Sequence, residues 1–342
     1  MTVSELGERA LLARIRAHLH TTGRPDASLV IGIGDDAAVV APTRNAQTVL
    51  TTDSQVEGVH FERRFSAPAD IGYRALAVNL SDLAAMGAKP RWALLSLALP
   101  DAMQVADVEA LAGGVADLAR QHDVRVIGGN LTRSPSGLVV DITAVGEVRP
   151  RRVLTRSGAR PGDALYVSGT LGAAGAGLQS LRLGTEVGPG TEVPPGTEVA
   201  SAVARYRRPQ ARVRLGVAIA NARAARAAID LSDGLADAAQ QLAEASGCGV
   251  EIEAEALPVD PAARAFWEAT GQDPVTQALS SGDDYELLFA VPRMWSGRLR
   301  HVRSRVAEPA LTRIGVLTKD PGTRVLLRNG KRETLPGGFE HW

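Results

Sequence analysis

The stretch 68-PADIGYRALAVNLSDLAAMGAKPRWALLSLAL-99 changes its periodicity part-way along. Tyr73, Leu76, Ala77, Leu80, Leu83 and Ala84 recur at three- and four-residue steps, the spacing of one face of a helix. Pro68 suits the first turn, where its missing N–H is not needed, and Gly87 suits the close. Trp92–Leu99 then runs apolar over a strand's length and predicts a strand. A helix over 68–87 feeding a strand at once makes this a chain of mixed layers.

Working outward, residues 104–122 read as a helix and Val124–Ile127 as a strand ending in Gly128-Gly129-Asn130, where the glycines either let backbone approach a phosphate closely or make a plain turn. Leu138–Val148 reads as a long strand. On the other side lie an amphipathic helix from near Ser4, the Gly-rich turn Ile31-Gly-Ile-Gly-Asp-Asp36, and strand-like runs at 37–40 and 48–52. The basic, Gly/Pro-punctuated block 149–162 places a boundary near residue 150, giving domains 1–149 and 150–342. Beyond it strands at 164–168, 227–230 and 249–254 alternate with helices at 210–224, 234–246 and 260–270. Another helix begins at the Gly/Ala-rich run from Gly172. Strands near 285–291, 312–317 and 324–328 complete an α/β (α+β) protein. Residues 184–199 repeat Gly-Thr-Glu-Val three times and read as a solvated surface loop with no catalytic role.

The 342 residues are 45% apolar, enough for two cores, and 38 basic residues balance 38 acidic ones. That balance offers no footprint for nucleic acid. The single cysteine, Cys248, excludes an intrachain disulfide and a cysteine-based zinc site. No apolar run is long enough to span a bilayer, and the first residues lack a signal-peptide layout. The expected location is cytoplasmic, with no membrane partner.

Acidic residues recur at strand ends and Gly turns: Asp35 and Asp36, Asp53, Asp82, Asp230 and Asp233, Asp283 and Asp284. An Asp beside a Gly is usually a turn or a helix cap. Ser232 or Asp233 could cap the helix that follows them. Crowded carboxylates repel one another, and a hard cation such as Mg²⁺ relieves this while binding phosphate. Asp82 shares a helix face with Asn79, so it would reach a site from a rigid element. The strand-to-helix turn at 230–234 presents backbone N–H groups to phosphate as well. No P-loop, protein-kinase motif, GxSxG or HExxH occurs. His60 follows Asp53 by seven residues, Arg156 sits at the boundary, and the C-terminal GGFEHW carries two aromatics.

Together the segments GIGDDAAV, TTDSQVEGVHF, YRALAVNLSDLAAMGAKP, IGGN, LTRSGARPGD, AIDLSDGL, SGDDYELLF and GFEHW resemble the thiamine-monophosphate kinase family, in order and along nearly the whole chain. NLSDLAAMGA and DLSDGL also fit the wider aminoimidazole ribonucleotide synthetase-like superfamily. The resemblance implies an N-terminal domain that dimerises through its sheet, a C-terminal α/β domain, and ATP with several Mg²⁺ ions. By motif match, Asp36, Thr51, Thr52, Asp53, Asp82, Asp230 and Asp233 would be metal ligands. Gly129, Arg156 and Ser232 would contact ATP, and His60, Asp283 and Phe339 would lie near thiamine monophosphate. Asn130 stands where the family has an Asp metal ligand beside ATP; it keeps an oxygen and loses a charge. Asp283 replaces a Glu. The implied reaction is direct in-line transfer from ATP to thiamine monophosphate in a homodimer, with no covalent intermediate. The rivals are a sister ATP-using synthetase and a catalytically silent nucleotide-binding relative, which Asn130 keeps open.

Overall fold

The structure is a computed structural model and describes residues 1–20, 22–24, 26–184 and 199–337. They form two compact units: Met1–Leu83 with Lys89–Pro150, and Ala84–Ala88 with the described residues from 151 onward.

The first unit opens with α1 (Val3–Leu6) and α2 (Glu8–Leu19). The sequence predicts one helix here. Gly7 breaks it, with φ of 84° where a side chain would be strained, and Thr2 caps α1 through a reciprocal capping box with Glu5. A small ladder of β1 (Leu29–Ile31) and β2 (Val39–Val40) flanks the Gly-rich acidic turn. Then come β3 (Gln47–Val56), α3 (Pro68–Ala85), β4 (Lys89–Pro100), α4 (Val105–His122), β5 (Arg125–Ser134) and β6 (Val139–Val148). The sheet order is β3-β6-β4-β5. β4 and β5 are parallel, joined through α4, and the other pairs are antiparallel. Leu76, Leu80 and Leu83 of α3, Leu111 and Leu118 of α4, and Ile142 of β6 are fully buried core residues.

One expectation is overturned here. The strand does not end at Gly128-Gly129-Asn130: after a register irregularity at Ile127, β5 continues through these residues to Ser134, pairing them with Leu94, Leu95 and Ser96 of β4. A Cβ on Gly129 would stand 1.8 Å from the Leu95 carbonyl oxygen. The glycine therefore permits close strand approach, a reading that a Gly-Gly pair in sequence shares with a turn.

The second unit holds β7 (Ala164–Ser168), α5 (Ala173–Arg182), α6 (Ala200–Arg207), α7 (Val213–Ala222), β8 (Ala227–Asp230), α8 (Leu235–Ala245), β9 (Gly249–Glu253), α9 (Pro261–Ala269), α10 (Pro274–Ser280), β10 (Leu287–Val291), α11 (Ser296–Arg305), β11 (Leu311–Thr318), β12 (Arg324–Arg328) and β13 (Lys331–Thr334). Its sheet runs β13-β12-β9-β11-β7-β10-β8, antiparallel except for β12 with β9. β8 and β10 are buried at every position, which explains the apolar run of β10 and the run that leads up to Asp230 in β8. Residues 185–198 of the repeat segment lie outside the described residues.

Candidate active site

Alternation along β3 sends successive side chains to opposite faces of the first sheet. Thr51 turns toward α3 and donates its hydroxyl to Asp82 Oδ2 at 2.5 Å. Gln55, four residues on, receives the Arg74 guanidinium of the same helix at 3.2 Å. Asp53 lies between them on that face. Thr52 turns the other way, to Asp141 at 3.4 Å and Thr143 at 3.1 Å, and Ser54 donates to the second oxygen of Asp141. Ladder partners share a face, and Ser96 pairs with both Asp141 and Asn130. Asn130 therefore stands on the Thr52 side. The run Thr51-Thr52-Asp53 thus faces two ways, Thr51 and Asp53 toward α3 and Thr52 to the opposite face.

On that opposite face a cavity of about 620 Å³ is lined by Asp35, Asp36, Gly129, Asn130, Asp141 and Thr143, with apolar walls from α2 and β4. Asp141 is the residue the sequence reading passed over. Its signal is a lone acid in the alternating run VVDITAV, at a position the strand leaves half-exposed.

Asn79, one turn before Asp82 on α3, is wholly buried in the core. Its amide nitrogen donates to the Ala75 carbonyl at 3.0 Å, while its oxygen has no partner among the described residues. His60 accepts a hydrogen bond at Nδ1 from the Val56 N–H at 3.1 Å, so the neutral ring carries its proton on Nε2.

In the second unit two acidic turns are laced together by backbone. Asp283 N donates to the Ser232 carbonyl at 2.7 Å, Tyr285 N to the Leu231 carbonyl, and Leu231 N to the Glu286 carbonyl. Asp283 and Tyr285 both hold positive φ, 70° and 50°, a conformation non-glycine residues keep only when the surroundings fix it. The fixing groups lie beneath. Glu286 has no exposed surface, is gripped by Arg205 at 2.9 Å and by both ends of the Arg212 fork, and accepts the Ser168 hydroxyl at 2.6 Å. Asp284 accepts the Gly172 N–H at the start of α5 at 2.7 Å. Burial pushes its carboxyl up to about 7, against the pull of that N–H and of Arg205.

Asp230 ends β8 and is buried. Ser232 and Asp233 do not cap α8: the helix opens at Gly234 without a side-chain cap, and the Ser232 hydroxyl bonds to Asp233 at 3.1 Å. Their side chains are thus not spent on the helix end. Arg156 is exposed and reaches Gln241 of α8 at 2.7 Å. Phe339 lies outside the described residues.

The donors of the first unit are all oxygens, from Thr51, Thr52, Asp36, Asp53, Asp82 and Asp141. Among the described residues no three His, Cys, Asp or Glu side chains converge into a ready-made metal cage. An all-oxygen donor set is of the kind a hard cation such as Mg²⁺ takes.

The chain matches two family models in order: AIR synthase related protein, N-terminal domain, over residues 34–148, and its C-terminal domain over residues 160–328. It is 38% identical to the thiamine-monophosphate kinase of Escherichia coli (strain K12), with 98% of each chain covered. The crystal structure of thiamine-monophosphate kinase from Stenotrophomonas maltophilia K279a superposes with a TM-score of 0.80 at 39% identity, covering 92% of this chain and 94% of that one. AaThiL complexed with AMPPCP and TMP superposes at 0.75 with 34% identity, covering 100% and 99%. Two domain models matched in sequence order, and likeness running the full length of these kinases, mean that this chain belongs to the AIR synthase related family, in its thiamine-monophosphate kinase branch.

Proposed function

We propose that this protein transfers the γ-phosphoryl group of ATP to thiamine monophosphate, giving thiamine diphosphate and ADP. The observation that carries the reading is the likeness, over both whole chains, to AaThiL complexed with AMPPCP and TMP. AMPPCP keeps the three phosphorus atoms of ATP and replaces the β–γ bridging oxygen with carbon.

By the family likeness Asp36, Thr51, Thr52, Asp53, Asp82 and Asn130 would be Mg²⁺ ligands, and so would Asp230 and Asp233. The bound cation supplies the neutralisation that lets two anions meet. Asp141 joins this set because it shares the cavity with Asp36 and Asn130. Gly129, Asn130, Arg156 and Ser232 contact ATP; the Arg156 guanidinium adds positive charge where phosphate oxygens gather. His60, as an Nε2–H donor, and Asp283 would contact thiamine monophosphate. The acceptor is a phosphate oxyanion near neutral pH, so no residue need act as a strong base and no side chain becomes phosphorylated. The protein works in the cytoplasm as a homodimer, supported by the exposed apolar residues Leu50 and Val30 of the first unit.

The test is thiamine diphosphate formation by purified protein with ATP, Mg²⁺ and thiamine monophosphate. Controls use free thiamine in place of the monophosphate, or omit the metal. Product from the monophosphate alone, and only with metal, is expected. No product from folded, ATP-binding protein would move the reading to a sister synthetase or a silent relative.

A further inference from the structure

The acidic turn at 31–36 has little to hold it. No residue from 29 to 40 is buried. Its hairpin ladder is two residue pairs with a register irregularity between them. Burial and pairing are the ordinary sources of loop rigidity, and both are thin here. Yet a carboxylate that meets a metal must be held to within a fraction of an ångström.

One side chain joins both feet of the segment. Arg91 donates through Nη2 to Asp26 Oδ2 at 2.9 Å and to the Ser28 hydroxyl at 3.1 Å. Through Nη1 it donates to Glu147 Oε2 at 2.9 Å. Asp26 is closed onto the incoming foot by the Ser28 N–H and hydroxyl. Glu147 carries the outgoing foot, accepting the Thr43 N–H at 3.2 Å and its hydroxyl at 2.7 Å. The three charged side chains are each at least about four-fifths buried, so water screens them less than a surface pair.

The backbone aims this arginine. Where β4 pairs with β6, Pro90 faces Gly146 and Trp92 faces Val145, leaving Arg91 as the extra residue of a bulge. Bulges redirect a side chain that regular alternation would send to one face. The guanidinium fork suits the task, since its donors diverge in a fixed plane and a lysine ammonium offers a single point. Desolvation works to raise the Asp26 carboxyl, but hydrogen bonds from Ser28 and Arg91 hold it well below the usual carboxylate range.

We propose that Arg91 is a positioning residue for phosphoryl transfer: by tying Asp26 and Ser28 on one foot to Glu147 and Thr43 on the other, it fixes where Asp36 meets the Mg²⁺–nucleotide. This rests on the reading of Asp36 given above. Arg91 touches no reacting atom, and it acts through the segment it anchors.

The test uses the full chain with Arg91→Met, Arg91→Lys and Glu147→Gln. Arg14→Met, which cuts the exposed Arg14–Glu109 pair of the same unit, serves as control. Hydrogen exchange of the 29–40 peptide reads the clamp directly, without activity. Exchange there is expected to quicken in Arg91→Met, less in Arg91→Lys and Glu147→Gln, and not in the control. Half-saturation by Mg²⁺ is expected to rise about ten- to a hundredfold in Arg91→Met, while kcat at saturating Mg²⁺ stays near wild type. Unchanged exchange would mean that Arg91 does not hold the segment. Faster exchange with unchanged Mg²⁺ dependence would mean that holding it positions nothing. Exchange quickened across the whole unit would mean a general loss of stability; each of these outcomes overturns the proposal. A wild-type protein that makes no product at any Mg²⁺ concentration would sink the functional reading instead, and the exchange arm would still decide whether the clamp exists.

Discussion

Asn130 presents its amide on the face of the sheet that also carries Asp141, Thr143 and Thr52. An amide oxygen can ligate Mg²⁺ but brings no charge to offset the cation. Asn130→Asp adds that charge and is expected to lower half-saturation by Mg²⁺ several-fold with little change in kcat. Without metal the new carboxylate shares a cavity with Asp35, Asp36 and Asp141, so the variant's melting temperature should be the more Mg²⁺-dependent of the two. Melting curves with and without Mg²⁺ check both sides; identical metal dependence would remove Asn130 from the site. Asp284 raises a different question, because its carboxyl is fully buried. Desolvation lifts it to about 7 from the ordinary 3.8. Between those values the folded chain holds a proton that the unfolded chain has released. This group's stabilisation is therefore complete below about pH 4 and lost as pH rises through 7, by roughly 4 kcal/mol if nothing relaxes. Asp284→Asn keeps an acceptor for Gly172 and cannot ionise. Urea midpoints at pH 4.5 and 8 should fall further in wild type than in the variant, and parallel losses would refute the assignment.

Elements were legible in proportion to how much apolar periodicity they carry. α3 and β4 came through because their buried faces are continuous, and β8 because every position is buried. α11 did not: SGRLRHVRSR buries only Leu299 and Val302, so its helical face is two residues wide. α10 carries the Asp273-Pro274 start that also opens α9 at Asp260-Pro261, but its seven residues are too few to show a period. β5 was cut short because a glycine that allows close strand approach looks like one that allows a turn. Gly129→Ala tests this at the scale of the element. The added methyl would press on the Leu95 carbonyl oxygen, which overpacking data place at about 1–3 kcal/mol or more. The urea midpoint should drop by that amount, with amide protection lost first along β4 and β5. A neutral substitution would mean that the strand can shift at no cost. The candidate site was legible as residues and not as faces. The sequence names Thr51, Thr52 and Asp53 in a row, and only the ladder with β6 shows that the middle one turns away. Asp141 was hidden for the same reason: its meaning comes from Ser54 and Thr52 on the neighbouring strand.

At the scale of the molecule, the two units differ in how they finish their sheets. In the second, β8 and β10 are buried at every position and β7 at alternate ones. In the first, α3 covers one face of the four-stranded sheet. The other face leaves Leu50 at 69% and Leu94 at 37% exposed, with Val30 and Val39 of the neighbouring hairpin also open. Large apolar side chains exposed together usually mark a surface that meets another protein, and a second copy offers the same patch in return, the condition for a twofold interface. Leu50→Arg would place a charge inside such an interface, where desolvation without a counter-ion is costly. Sedimentation equilibrium should find wild type dimeric and Leu50→Arg largely monomeric, with helix content unchanged by circular dichroism. Activity then separates two roles for the dimer. If the variant keeps its kcat, each chain holds a complete site; if activity falls with dimer content, the exposed face helps to build it. A wild-type monomer at micromolar concentration would remove the dimer and leave the exposed leucines without a partner.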